Sequence, residues 1–152
     1  MMHSLHRSLV LPTSIEEAWE FFSNPSNLSR ITPPNLRMEV RSNPQPEMYA
    51  GMFIVYTVRP ILGVPLEWVS EITHVKRPHY FVDEQRLGPY RLWHHEHRFT
   101  PHTNGVEVED IVQYVLPFGP LAEIIHPFLV RRKLDEIFDY RGKILREIFG
   151  VS

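Results

Sequence analysis

The stretch from Phe81 to Phe99 consists of two alternating runs on either side of the dipeptide Gly88-Pro89. Alternation places every second side chain on one face of a strand, and a Gly-Pro pair interrupts a strand, so this pattern predicts a β-hairpin. Its odd positions collect aromatic, histidine and carboxylate side chains, whereas its even positions are mostly charged. We therefore expect the odd face to lie inside the protein and the even face to be solvated.

The length of the loop determines which residues of this hairpin face each other. A three-residue loop, Gly88-Pro89-Tyr90, keeps the two odd faces on the same side of the sheet, because opposed residues of an antiparallel pair point the same way. A two-residue loop would oppose the odd face of one strand to the charged face of the other. The three-residue loop pairs Gln85 with Trp93, Asp83 with His95 and Phe81 with His97.

Alternating and helically spaced segments account for most of the remaining chain. Thr13 or Ser14 is expected to cap a first helix, because acidic residues follow where the helix dipole favours them. Pro127 suits the first position of the last helix and Gly150 suits its C-terminal cap. We predict strands at His3–Leu11, Leu36–Arg41, Met52–Val58, Leu66–Val75 and Val106–Leu116, short helices ending at Asn24 and spanning Ser26–Ile31, and a long helix from Pro127 to Gly150.

The strand after the hairpin adds a second carboxylate to the inward face. A four-residue turn at 101–104 pairs His97 with Val108, His95 with Asp110 and Trp93 with Val112. Asp83, His95 and Asp110 then form a row across three neighbouring strands. Such a row of titratable groups is typical of a functional site, although structural ion networks have the same composition.

Arg141 lies within the apolar stripe of the last helix, between Phe138 and Leu145. A guanidinium in such a position requires a carboxylate or an anionic ligand as its partner. We expect Arg141 to extend the row from the helix side.

Six successive antiparallel strands and one long amphipathic helix bury their apolar surfaces together only if the sheet curls around the helix. The sequence therefore predicts an α+β fold with a curved antiparallel sheet of about seven strands. In this arrangement the chain resembles the START-like helix-grip superfamily, which includes pollen allergens, the polyketide cyclase/dehydrase and lipid-transport group, and a bacterial subgroup of small ligand-binding proteins. The resemblance rests on LPTSIEEAWEFFSNPSNL, the strand around Trp68, the Phe81–Phe99 hairpin, Asp110-x-Val112-x-Tyr114, and FDYRGKIL in the last helix.

The resemblance implies an interior cavity between the sheet and the long helix that holds a small apolar molecule. Members of the superfamily include carriers, sensors and enzymes, so the fold alone implies no reaction. The residues expected to contact the ligand are Trp68, Phe81, Asp83, Gln85, Trp93, His95, His97, Asp110, Val112, Tyr114, Phe138 and Arg141.

Two functions are compatible with these residues. The first is binding of an apolar or lipid-like molecule, with the polar row orienting it. The second is an enzyme of the cyclase, dehydratase or aromatase kind, in which His95 works with Asp83 or Asp110 as acid and base and Arg141 binds an enolate or carboxylate. A third function is an interaction module whose ligand or partner regulates another protein, for which the sequence offers only the basic turn Arg131 to Lys133. The row itself is also compatible with a purely structural role, joining the helix to the sheet.

Composition excludes several classes of protein. We expect one domain over residues 1–152, since the length is ordinary for one. A net charge of -2 without a long basic run does not favour nucleic-acid binding. The lack of cysteine and of any long apolar run favours a cytoplasmic protein without membrane insertion.

His95 and His97 have a spacing found in metal sites, but no clear third ligand accompanies them, so we expect no metal and no cofactor. The oligomeric state is left open.

Overall fold

The computed structural model of this protein describes residues 1–42, 47–60 and 63–150. Seven strands and three α-helices form an α+β fold, as predicted. The strands are β1 (His3–Leu11), β2 (Glu39–Val40), β3 (Phe53–Val58), β4 (Leu66–Lys76), β5 (Tyr80–Leu87), β6 (Leu92–His102) and β7 (Gly105–Val115). The helices are α1 (Ile15–Phe22), α2 (Gly119–Ile125) and α3 (Val130–Phe149), with 3₁₀ helices at Pro25–Ile31 and Pro34–Leu36.

All seven strands belong to one antiparallel sheet in the order β1-β7-β6-β5-β4-β3-β2. Irregularities in the register between β4 and β5 interrupt the ladder twice, and such bulges increase the local twist of a sheet. The curved sheet and the long C-terminal helix confirm the predicted helix-grip architecture.

The N-terminal segment follows the prediction until the second strand. Ser14 is the N-cap of α1, and its side chain accepts a hydrogen bond from the backbone N–H of Glu17. The predicted strand Leu36–Arg41 is wrong at its start, because Leu36 ends a 3₁₀ helix and only Glu39–Val40 pairs with β3. Arg37 has a φ of 47°, and its backbone N–H bonds the carbonyl of Pro34, so the chain turns there instead of extending.

The β5–β6 ladder has the predicted register over residues 80–84 but does not extend to the predicted pair Gln85–Trp93, and the turn between β6 and β7 differs from the prediction. Asp83 faces His95 and Phe81 faces His97. The predicted four-residue turn at 101–104 is wrong, because β6 continues to His102, which faces Gly105.

This tighter turn moves the register between β6 and β7 by two residues. His97 faces Asp110 instead of Val108, His95 faces Val112 instead of Asp110, and Trp93 faces Tyr114 instead of Val112. Since side chains alternate with a period of two, the shift leaves every residue on its predicted face.

The long helix begins later than predicted. Pro127 lies between α2 and α3 and does not occupy the first position of α3, which starts at Val130. The backbone N–H of His126 bonds the carbonyl of Ala122, and that of Leu129 bonds the carbonyl of Ile125. Helical turns therefore continue from α2 into this connection. Gly150 caps the C-terminus of α3 with a φ of 81°, as expected.

The interior contains two apolar clusters along α3. Leu145 belongs to the cluster that includes Trp19 of α1 and Phe81 of β5. Leu134 and Phe138 belong to the other cluster, with residues of β6, β7 and α2. No helix among residues 1–42, 47–60 and 63–150 has the length and apolar character needed to cross a membrane.

Candidate functional site

Two histidines and two aspartates form a hydrogen-bonded group on the inner face of β5, β6 and β7. The imidazole Nε2 of His95 donates to Oδ1 of Asp110 over 2.7 Å, and Nε2 of His97 donates to Oδ2 of Asp83 over 2.6 Å. Each histidine thus bonds the aspartate diagonal to it rather than the one directly opposite. The two imidazole rings stack with their centroids 3.8 Å apart.

These contacts agree in part with the row predicted from the sequence. His95 does bond Asp110, although the two residues are not opposed in the ladder. Asp83, the predicted partner of His95, lies 3.9 Å from its Nδ1 and bonds His97 instead. His97 therefore belongs to the group as fully as His95, and we call Asp83, His95, His97 and Asp110 the His–Asp cluster.

Arg141 joins the cluster from α3, as predicted from its place in the apolar stripe. Its Nη1 donates to Oδ1 of Asp110 over 3.1 Å, and its guanidinium carbon lies 4.8 Å from the centre of the Phe138 ring. Its Nε is buried and has no hydrogen-bond partner among the residues that the structure describes. The Arg141–Asp110 contact thereby connects the long helix to the middle of the sheet.

The cluster is charged despite its burial. Burial acts to raise the pKa of Asp110, but the positive charge of Arg141 and the hydrogen bond from His95 outweigh it and hold the pKa below the ordinary value. Burial likewise acts to raise the pKa of Asp83, and the hydrogen bond from His97 is the main effect that keeps it low. For His97, burial lowers the pKa, with His95 as the next cause. Both carboxyl groups are therefore ionised at neutral pH, and the His97 imidazole is neutral.

The same group contains a possible set of metal ligands. Asp83, His95 and His97 each offer one ligand atom, and these three atoms lie within 4.8 Å of one another. Imidazole nitrogen and carboxylate oxygen together suit divalent transition metals.

A cavity of about 470 Å³ lies between the inner face of the sheet and α3. Most of its wall is aliphatic or aromatic, and its polar groups include Asp83, His95 and His97 of the His–Asp cluster. It reaches the surface beside α2, where the lining residues Phe118 and Leu129 are exposed. Eight of the expected ligand contacts line the cavity: Trp68, Phe81, Asp83, Trp93, His95, His97, Phe138 and Arg141.

The other four expected contacts do not line the cavity. The Gln85 side chain bonds the backbone N–H and carbonyl of Tyr90, which holds the hairpin loop. Val112 is fully buried in the core, and the Tyr114 hydroxyl bonds His126 over 2.7 Å. Asp110 instead lines a second, smaller cavity beside α3.

Sequence reasoning missed a second polar group in the cavity wall. Nε1 of Trp68 donates to Oγ of Ser70 over 3.0 Å, and the Tyr56 hydroxyl lies 3.4 Å from the same oxygen. Burial raises the pKa of Tyr56, so its hydroxyl keeps its proton. The alternation of Ile54, Tyr56 and Val58 in β3 was the signal that could have placed Tyr56 inside.

Comparison with known proteins identifies the family of this chain. The family model described as polyketide cyclase / dehydrase and lipid transport matches residues 11–137. No curated protein matches significantly.

Solved structures share the fold at low sequence identity. Protein TTHA0849 from Thermus thermophilus is 15% identical with a TM-score of 0.75, and the match covers 99% of this chain and 100% of that one. Protein CV1439 from Chromobacterium violaceum is 13% identical with a TM-score of 0.69, covering 93% and 96%. The di-domain ARO/CYC StfQ from the steffimycin biosynthetic pathway is 12% identical with a TM-score of 0.73, covering 99% of this chain and 51% of StfQ.

Proposed function

Because the chain belongs to the polyketide cyclase / dehydrase and lipid transport family, we propose that it binds a small apolar or lipid-like molecule between its sheet and α3. The observation that carries this proposal is the cavity of about 470 Å³ with largely apolar walls. Ligand pockets typically have this size and lining, with few polar groups that set orientation. Binding would draw on roughly 25 cal/mol for each Å² of apolar surface removed from water.

The His–Asp cluster supports an orienting role in this proposal. Asp83, His95 and His97 border the cavity, so a hydroxyl or carbonyl group of the ligand could replace solvent there. Trp68 and Trp93 border it as well and provide intrinsic fluorescence that reports occupancy.

The test compares two variants of α3. Ile137 lines the cavity, whereas Ile144, two turns further along, does not. We expect the wild-type protein to take up an apolar fluorescent probe such as N-phenyl-1-naphthylamine, Ile137→Trp to lose most of this uptake because the larger side chain fills the space, and Ile144→Trp to retain it.

Native mass spectrometry of protein purified from its own host gives a second readout. We expect an additional mass that is released by organic solvent. Absence of both a bound molecule and probe uptake would contradict the proposal.

A second candidate is an enzyme of the cyclase, dehydratase or aromatase kind. The observation in its favour is that ionised Asp83 and neutral His97 both border an apolar cavity, where acid and base groups act without competing water. In this scheme His95 works with Asp83 or Asp110 as acid and base, and Arg141 binds an enolate or carboxylate. Incubation with a poly-β-ketone analogue should then give a cyclised or dehydrated product with wild-type protein but not with Asp83→Asn.

The proposal includes a single domain over 1–152 and a cytoplasmic location, which the ordinary length and the lack of cysteine favour. Size-exclusion chromatography, limited proteolysis and cell fractionation test these two points.

A further inference from the structure

The His–Asp cluster has the composition and layout of a metal site that the sequence pattern left incomplete. The sequence offered the pair His95 and His97 on one strand without a third ligand. The register of β5 against β6 supplies that ligand, because Asp83 faces His95. We propose that Oδ2 of Asp83, Nδ1 of His95 and Nε2 of His97 bind one divalent transition-metal ion, of the class of Zn²⁺ or Fe²⁺.

The distances between the proposed ligand atoms are close to those found around a bound metal ion. Oδ2 of Asp83 lies 2.6 Å from Nε2 of His97 and 3.9 Å from Nδ1 of His95. Ligand bonds of about 2.1 Å place neighbouring ligand atoms roughly 3.0 to 3.5 Å apart. Shifts on the order of 1 Å, with a tilt of the two rings now 26° from parallel, bring the three atoms around one point.

Asp110 supplies the outer contacts that metal-bound histidines require. A histidine ligand usually donates its other ring N–H to a carboxylate, which fixes its orientation. Nε2 of His95 already donates to Asp110 over 2.7 Å, and Nδ1 of His97 lies 3.5 Å from the same oxygen. One carboxylate, itself bonded by Arg141, therefore orients both histidines.

The protons balance when the ion enters. The proton on Nε2 of His97, which is hydrogen-bonded to Asp83, moves to Nδ1 of the same ring. From Nδ1 it can form a hydrogen bond to the Asp110 carboxylate. Nε2 of His95 faces Asp110, so Nδ1 is the ring nitrogen left for the ion, and any proton on Nδ1 is released to solvent as the ion binds. No redox step is involved.

The charges of the cluster also favour a cation. The cluster contains the carboxylates of Asp83 and Asp110 but only one guanidinium, that of Arg141, which bonds Asp110. An uncompensated buried charge is costly, and a bound cation is one way to offset it. Arg141 opposes the cation, but its contact with Asp110 places a carboxylate between the two positive charges.

The remaining coordination positions of the ion would face the cavity. Asp83, His95 and His97 all border it, whereas Asp110 borders a different cavity. A ligand carbonyl could therefore reach the ion directly, and metal ions polarise such groups as Lewis acids.

The test measures metal binding by the full chain without any apolar ligand, so its outcome is independent of the proposed function. Chelator-treated protein is titrated with Zn²⁺ by calorimetry and with Co²⁺ by visible absorption. We expect one ion per chain. Asp83→Asn and His97→Gln should weaken the affinity at least about tenfold, because even outer-shell changes cost that much.

The control is His94→Gln. His94 directly precedes the proposed ligand His95 in sequence but points to the opposite face of the sheet, where it bonds Glu84 over 3.0 Å. Replacement of His94 should leave the metal affinity unchanged. That result would exclude metal binding by this surface histidine–carboxylate pair. Circular dichroism establishes that each variant is folded.

Two results would overturn the inference. One is the absence of saturable one-to-one binding to the wild-type chain. The other is binding that survives in folded Asp83→Asn. If that variant does not fold, Co²⁺ added to the wild-type protein decides instead: paramagnetic shifts at the ring protons of His95 and His97 support the site, and unshifted signals refute it.

Discussion

Asp110 accepts hydrogen bonds from both the sheet and the long helix, through His95 and Arg141. All three side chains are more than nine-tenths buried. Loss of the Asp110 carboxylate therefore leaves the buried guanidinium of Arg141 without this counter-charge.

We predict that Asp110→Asn lowers the free energy of unfolding by about 3 kcal/mol, because removing one partner of a buried ion pair leaves the other uncompensated. Urea denaturation measures the change. The matched control is Glu109→Gln, the preceding residue on β7, whose partner His6 is exposed; we expect it to cost less than about 1 kcal/mol. Equal losses in the two variants would show that the buried contact has no special weight.

Gly105 is restricted by its surroundings as well as by its backbone. Its φ is 137°, and a Cβ atom there would lie 2.0 Å from the carbonyl oxygen of Leu11. Gly51 also has a positive φ, of 98°, but a Cβ atom there would meet nothing within 4 Å.

We predict that Gly105→Ala destabilises the protein clearly more than Gly51→Ala. Both replacements strain the backbone, by about 1 kcal/mol or more, but only the first forces β1 away from the β6–β7 turn. Thermal unfolding of the two variants measures the difference, and identical melting temperatures would contradict this explanation.

At the scale of elements, α2 is held against the sheet edge by His126. Its Nε2 lies 2.7 Å from the Tyr114 hydroxyl of β7, and its ring stacks on His3 of β1 with centroids 3.8 Å apart. Burial lowers the pKa of His126, as do His3 and Arg131 of α3, while Glu123 acts in the opposite direction.

This depressed pKa predicts that α2 loosens in mild acid. The folded state favours the neutral imidazole, so its contribution to stability is complete above the ordinary pKa of 6.5 and is lost as pH falls below 6.5 through the lower pKa of the folded state. We expect faster amide exchange in α2 at pH 5.5 than at pH 7.5, beyond the intrinsic rate change, and a smaller pH effect in His126→Gln. The exposed His102→Gln should behave like wild type.

At the scale of the whole molecule, the cavity replaces the core that would otherwise fill the space between the sheet and α3. The two apolar clusters pack around α3 at different points along its length, and the cavity borders residues of both. A protein built in this way should be more stable with the cavity filled.

We predict that a bound apolar molecule raises the melting temperature increasingly as its concentration rises. At one hundred times the dissociation constant the stabilisation is about 2.7 kcal/mol. Thermal unfolding with increasing probe concentration measures it in the wild-type protein, and Ile137→Trp should show little change. A melting temperature that does not move at saturating probe would exclude binding to the folded state.

Alternation and helical spacing in the sequence were sufficient to predict the fold. They identified the pairing of Asp83 with His95 and the inward faces of β4, β5, β6 and β7, because one buried face and a period of two leave few options. The inward direction of Arg141 also followed from the spacing of α3. The sequence was less informative about where elements begin. Leu36 and Pro127 lie in turns, and the strand and helix patterns alone cannot distinguish such a turn from the first residue of the next element.

Tertiary structure decided the contacts within the cluster. The two-residue shift between β6 and β7 preserves every face, so no pattern of polarity could detect it. That shift places Asp110 opposite His97, while His95 still reaches Asp110 diagonally. Likewise, the packing of α3 against the sheet determines that Asp83 borders the apolar cavity and that Asp110 borders a different one, because this packing depends on residues from the whole chain.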